Sequence, residues 1–225
     1  MCGRFTHMYS WEEIVAFTTA VVPAIPLAKR YNVAPTQNAP VIRCKLPGEP
    51  KVDFLRWGLI PSWSRDEKIG ASMINARCET VSSKPSFKAP FRLKRCVIPI
   101  SGFYEWKKDA TTKQKQPFYI TSRERKPLFL AGIWDCWSAL EAEREPVESF
   151  SIITTTANDT MAPLHDRMPV ILAKDSIEKW LANSSKEADL QPLLVPCPGG
   201  WLSAIAVSTL VNSARNDSEG CVLPL

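Results

Sequence analysis

Cys2 carries the most informative chemistry in this 225-residue chain. Aminopeptidases remove Met1 when the next side chain is small, so the mature chain is expected to begin with Cys2, its α-amine and thiol on adjacent carbons. The amine of such a 1,2-aminothiol titrates near ~7.7–8.0 and the thiol near ~8.5, so a useful fraction of both is nucleophilic at neutral pH. Arg4 stands close in sequence as a cation that would favour the thiolate. An aldehyde meeting this pair condenses with the amine to a Schiff base, which the thiol closes into a five-membered thiazolidine. Position alone also allows a plainer reading, a small residue near a frayed terminus.

Three other groups could move protons or hold anions. His165, in Leu164-His165-Asp166-Arg167-Met168-Pro169, has a carboxylate and a guanidinium beside it, a setting for acid–base work; a lone histidine is more often structural. Glu105, in Gly102-Phe103-Tyr104-Glu105-Trp106, lies between two aromatics, where burial would suit it to proton transfer. A strictly alternating strand would instead turn it to water. Asn75-Ala76-Arg77 offers a neutral amide and a fork of donors suited to an oxygen anion or a phosphate, or else a turn with a surface arginine. The block Trp57-Gly58-Leu59-Ile60-Pro61-Ser62-Trp63, taken alone, reads as core and turn.

Charge is unevenly spread. The net charge is +5, but residues 1–130 hold 22 Lys and Arg against 10 Asp and Glu, whereas residues 131–225 hold 6 against 13. An anionic partner is therefore expected on the first half of the chain. The run Lys84–Arg95 contains Lys84, Lys88, Arg92, Lys94 and Arg95 and no acid, interleaved with Phe87 and Phe91. Cations meet phosphates and flat faces meet unstacked bases, so the run is a candidate single-stranded nucleic-acid track. A solvated basic surface has the same composition.

Composition removes several classes. With 45% hydrophobic and 23% charged residues the chain is globular and not disordered. At this length it buries roughly 70% of the surface of its unfolded form, enough to fold without disulfides or a structural metal. The nine glycines spell no phosphate cradle of a P-loop or dinucleotide fold. Two histidines, His7 and His165, cannot supply the two-histidine helix of a zinc protease, and no GxSxG elbow occurs. The seven cysteines stand at least 18 positions apart, which excludes CxxC zinc knuckles and thioredoxin-type pairs and implies reduced thiols. The start has no apolar h-region, and Pro23 and Pro26 break the nearest apolar stretch, so a cytoplasmic protein without a membrane span is expected.

These groups need elements to hold them. Ser10 and Glu13 form a capping box ahead of Ile14, Val15 and Phe17, which predicts a short helix. Asp175 and Glu178 repeat the pattern, with Ile177, Trp180 and Leu181 on one helical face. Most other apolar segments are short and β-rich: 95–100, 102–106, 117–121, 128–134, 149–155, 170–172 and 201–207. Residues 107–116 read as a long hairpin tip and 141–148 as an acidic connector. The expected architecture is one α+β domain over residues 1–225, a strongly bent antiparallel or mixed sheet with a few peripheral helices.

Six blocks stand in an informative order: Met1-Cys2-Gly3-Arg4, Tyr31-Asn32-Val33-Ala34-Pro35, Trp57-Gly58-Leu59-Ile60-Pro61, Asn75-Ala76-Arg77-Cys78-Glu79-Thr80, Gly102-Phe103-Tyr104-Glu105-Trp106 and His165-Asp166-Arg167-Met168-Pro169. Through them the chain resembles the SOS response-associated peptidase (SRAP) family along its whole length. The resemblance implies an α+β domain with a barrel-like, mainly antiparallel sheet, which senses abasic sites in single-stranded DNA and shields them by a covalent DNA–protein cross-link. It implies that Cys2 forms a thiazolidine with the ring-opened deoxyribose aldehyde and that Asn75 orients the first residue and the sugar oxygen. Glu105 would move protons during ring opening, linkage and reversal, and His165 would assist Schiff-base formation or a slow strand-cleaving lyase reaction.

On the same resemblance Arg4, Arg77 and Arg167 are phosphate contacts, and Trp63 and Phe87 are surfaces against which bases stack or a duplex is wedged open. Many members carry a second aromatic directly after the Trp63 position, where this chain has Ser64. No metal, cofactor or nucleotide is implied, and the expected state is a monomer, nucleoid-associated when engaged with DNA. Two other functions stay open here: a thiol peptidase using Cys2 with His165 as base, of which self-removal of Met1 is the minimal form, and a non-covalent single-stranded DNA-binding module. The covalent reading requires the terminus to lie by residues 75, 105 and 165, where a strand can enter.

Overall fold

The computed structural model describes residues 2–24, 26–45, 49–108, 115–139 and 145–225. Its strands are β1 (Phe5–His7), β2 (Arg30–Val33), β3 (Asn38–Cys44), β4 (Pro50–Trp57), β5 (Asn75–Arg77), β6 (Arg95–Ile100), β7 (Gly102–Lys108), β8 (Lys115–Ser122), β9 (Leu128–Trp137), β10 (Val147–Thr156), β11 (Arg167–Pro169) and β12 (Leu202–Ala206). The α-helices are α1 (Trp11–Val15), α2 (Pro85–Leu93), α3 (Lys174–Leu181) and α4 (Glu187–Leu190).

Five strands close on themselves: β10 pairs with β4, β4 with β3, β3 with β6, β6 with β9, and β9 with β10 again. Within this ring only the β10–β4 pairing is parallel. Closure leaves the ring without a free edge, and the protein is α+β with a barrel-like sheet, as the sequence leads one to expect. A second, antiparallel sheet runs β12-β8-β7-β1-β2. The core lies between and behind these sheets, with Trp57, Phe5, Phe103 and Phe150 wholly buried.

β10 positions the site. It pairs with β4 through Ser149 and Phe150, then with β5 through Ile152–Thr154, while β11 joins its other side at Thr154–Thr156. The exchange of β4 for β5 depends on Gly58, which has φ +122° and donates its N–H to the Phe150 carbonyl at 2.8 Å. A Cβ at Gly58 would stand 2.5 Å from the Gly70 carbonyl oxygen, so only glycine lets the chain turn away there. Buried hydroxyls of β10 hold the diverted segment, Ser149 accepting from the Ile60 N–H at 2.8 Å and Thr154 donating to the Ala76 carbonyl at 3.4 Å.

The helices modify the sequence reading. α1 carries its capping box as expected, Ser10 Oγ accepting from Glu13 N–H at 3.3 Å and Glu13 Oε2 from Ser10 N–H at 2.8 Å. In α3, by contrast, Ala173 is the cap residue with no side-chain bond, and Asp175 sits inside the first turn, where its charge favours the helix dipole. The basic run folds as α2, started by Pro85 at its first position. Its Phe87 and Phe91 turn inward, Phe91 meeting Trp180 at a ring distance of 6.1 Å.

Two strand expectations also shift. The short strand expected at 170–172 forms at Arg167–Pro169; beyond it the Val170 N–H still donates to the Ile153 carbonyl at 2.9 Å, and Ile171 makes an isolated bridge to Leu130. Trp201 belongs to a 3-10 turn before β12. Residues 109–114 of the expected hairpin tip and 141–144 of the expected connector lie outside the described residues, although Lys108 and Lys115 pair across the hairpin. Among the described residues no helix is long and apolar enough to cross a membrane.

Candidate functional site

Three segments distant in sequence converge on Cys2. The antiparallel register of β1 and β7 sets Phe5 opposite Phe103, and the Tyr104 N–H donates to the Arg4 carbonyl at 2.9 Å, so the residues before β1 run alongside Glu105. Asn75, the first residue of β5, reaches over from the ring and donates its Nδ2–H to the Cys2 carbonyl at 2.8 Å. The preceding Ile74 carbonyl is pinned by Trp57 Nε1 and by the Ile152 N–H, both at 3.0 Å. The Asn75 Oδ1 is buried and accepts no hydrogen bond among the described residues, so its acceptor face is available to a donor such as an amine.

Glu105 is buried at 4% exposure and not turned to water, and its carboxylate acts on the thiol. Burial first, and the Glu105 charge second, push the Cys2 thiol up to about 12. The expected activation by Arg4 is absent. Its guanidinium points away, donating to Asn32 Oδ1 at 2.8 Å and to the carbonyls of Val211 at 2.7 Å and Asn212 at 3.3 Å, and only its backbone N–H favours the thiolate. Cys2 itself has no exposed surface; it joins the buried cluster that includes Phe5, Met161 and Met168. In this state the thiol is neutral and closed to solvent, contrary to the open terminus that the sequence suggests.

His165 ends a loop whose Met161 and Leu164 pack in the same cluster as Cys2. Its Nδ1 lies 2.7 Å from Asp166 Oδ1 and 3.0 Å from the Arg167 N–H. One ring nitrogen serves only one of these at a time: bare, it accepts from Arg167, and protonated, it donates to Asp166. The loop leads into β11, so β10 carries Asn75 and Arg77 on one side and Arg167 on the other.

The residues expected at DNA divide sharply. Trp63 is 59% exposed and Arg77 is exposed at the end of β5, both open to a partner. Arg167 is 12% exposed and holds Glu79 in a two-pronged pair, with a further bond to the Thr154 carbonyl at 2.7 Å. Phe87 is 6% exposed and lies in the core, so it offers no face to a base, because the helical period of α2 turns it inward with Phe91. In the same run Arg95 is buried, donating to the carbonyls of Phe91, Arg92, Trp180 and Ala182 and so satisfying the ends of α2 and α3. Lys94 pairs with Asp135 at 2.7 Å, which leaves Lys84, Lys88 and Arg92 as the exposed cations of the run. Glu79, Asn32 and Asp135 escaped the sequence reading; only Glu79 and Asn32 stand inside blocks singled out there, with nothing local to show their partners.

Comparison with known proteins gives a consistent picture. The profile of the SOS response associated peptidase (SRAP) family matches residues 1–214. The abasic site processing protein YoqW of Bacillus subtilis (strain 168) is 42% identical over 221 residues, covering 97% of each chain. The abasic site processing protein HMCES of Gallus gallus is 32% identical over 223 residues, covering 87% of this chain and 66% of that one. Among solved structures, a protein from Bacteroides thetaiotaomicron superposes with a TM-score of 0.87 at 29% identity over 100% of both chains. One from Bordetella bronchiseptica does so with a TM-score of 0.76 at 28% identity, covering 92% of this chain and 100% of that one.

Proposed function

Because the chain belongs to the SOS response-associated peptidase family, we propose that it processes abasic sites in single-stranded DNA, linking Cys2 to the opened sugar once Met1 has been removed. The observation that carries this reading is the meeting of Asn75 and Glu105 at Cys2, an amide on its carbonyl and a buried carboxylate acting on its thiol.

The chemistry follows from those neighbours. The freed Cys2 amine adds to C1′ of the aldehyde, and the carbinolamine loses its hydroxyl as water to leave an imine. The thiol then adds to the imine carbon and its proton passes to nitrogen, closing the thiazolidine with net release of one water. In this reading Glu105 first gives a proton to the departing hydroxyl and then carries the thiol proton to the ring nitrogen. Asn75 Oδ1 accepts from the amine and holds it toward the sugar, making the condensation effectively intramolecular. His165, at the edge of the same cluster, assists imine formation as an acid or base, and Arg77 receives a flanking phosphate. Cys2 must leave its closed setting for the strand to reach it, so removal of Met1 and opening of the terminus belong to the reaction. The proposal needs one copy of the chain and no cofactor.

Incubation with single-stranded DNA bearing one abasic site, followed by a denaturing gel, tests the reading. A shifted, heat-tolerant band that vanishes in Cys2→Ala is expected. An unshifted lane sinks it; casein cleavage would then favour the thiol peptidase, and DNA binding unaffected by Cys2→Ala would favour the non-covalent module.

A further inference from the structure

Trp63, the most exposed aromatic side chain at the candidate DNA face, stands on a turn tied down from beneath at both of its neighbours. We infer that Asp135 and Trp137 are positioning residues that fix this turn and so set the angle at which the Trp63 indole meets DNA. The inference rests on the expectation that Trp63 stacks against bases of single-stranded DNA, the partner proposed above. Ser64 N–H closes the turn on the Pro61 carbonyl at 2.9 Å. On one side of Trp63 the Ser62 N–H donates to Asp135 Oδ2 at 2.9 Å, and on the other Trp137 Nε1–H donates to the Ser64 carbonyl at 2.7 Å.

Asp135 and Trp137 are two apart on β9 and therefore share a face of the strand. Both are buried, at 3% and 4% exposure. A buried carboxylate must be satisfied, and the second oxygen of Asp135 accepts from Lys94 Nζ at 2.7 Å and from the Cys136 N–H at 2.9 Å. Lys94 thus spends its charge beneath the turn instead of on a phosphate. An exposed indole on a loose turn loses conformational freedom when it stacks on a base, whereas one already immobilised loses little. The two tethers give Trp63 that advantage without touching DNA themselves.

A double-mutant cycle on the full chain tests this, with binding of an undamaged single-stranded oligonucleotide followed by fluorescence anisotropy. Trp63→Ala is expected to weaken binding about tenfold. Trp137→Phe, which removes the N–H to Ser64 together with one ring of the buried indole, and Asp135→Asn, which removes the charge facing Lys94, should each weaken it several-fold. Either change added to Trp63→Ala should cost nothing more, because the tethers act only through that indole. Additive losses in the double variants mean a general structural role and overturn the inference. So does a loss in Trp63→Ala with none in Trp137→Phe, which leaves the DNA-face reading standing. An unchanged affinity in Trp63→Ala overturns both. If Asp135→Asn fails to fold, Trp137→Phe decides alone.

Discussion

Arg167 and Glu79 face each other with Nη1 2.5 Å from Oε1 and Nη2 3.0 Å from Oε2. The hydrogen bond from Arg167 holds the Glu79 carboxyl down to about 2. A carboxylate thus fills the planar fork that a phosphate would use. Glu79→Gln keeps the shape and removes the charge, so it is expected to tighten binding of undamaged single-stranded DNA several-fold. The dependence on salt should steepen, by about 0.7 in log–log slope for one more neutralised phosphate. Weaker binding in the variant would mean that Glu79 orients Arg167 instead of competing for it.

Burial of Cys2 makes its reactivity conditional on the terminus. While Met1 is present, iodoacetamide should label the half-buried Cys78 and Cys136 well before Cys2, as read by peptide mass mapping. Protein that keeps Met1 or carries an N-terminal tag should also fail to cross-link abasic DNA. Full cross-linking with Met1 intact, verified by mass spectrometry, contradicts the proposed chemistry.

Glu105→Gln preserves size and removes the proton carrier. Linkage or its reversal should slow at least tenfold in a gel time course, in keeping with the usual worth of a positioned acid–base group. Affinity for unmodified DNA should stay within a few-fold. Loss of both together would assign Glu105 a structural role.

His7 on β1 predicts a pH effect. Burial, then the Arg30 cation, push its imidazole down to about 4, while an unfolded histidine titrates near ~6.5. Between those values the unfolded chain binds the proton and the folded one does not, so stability falls as pH drops through the window and recovers above it. The loss is on the order of 3 kcal/mol. Urea unfolding at pH 7 and pH 4.5 should show a smaller change in His7→Gln than in the parent; equal changes refute the assignment.

Within the basic run, Arg95 and the pair Lys84 and Lys88 should separate cleanly. Arg95→Ala strands four helix-end carbonyls and should cost on the order of 3 kcal/mol in unfolding experiments. Lys84→Ala with Lys88→Ala should leave stability nearly unchanged and lower DNA affinity at low salt. If the lysine pair has no effect on binding, the α2 face is not part of the track.

Local signals were legible where the deciding residues are neighbours. The Ser10–Glu13 box spans three positions, and the apolar runs of β6 to β10 announce themselves within one strand, so a bent sheet with peripheral helices could be read directly. The six ordered blocks pointed to the family for the same reason, since each is a short string whose residue types survive without coordinates. What surrounds each side chain was not legible. β5 is three residues long and exists because Gly58 releases β4 from β10, and Phe87 and Phe91 face the core because α2 docks by them. Arg4 turns to a C-terminal segment more than 200 positions away, and Arg167 to an acid 88 positions before it. Burial and charge pairing are properties of the assembled neighbourhood. The chain alone could therefore name Cys2, Asn75, Glu105 and His165, but only the fold could close Cys2 from solvent, set Asn75 and Glu105 against it, and decide which cations are left for DNA.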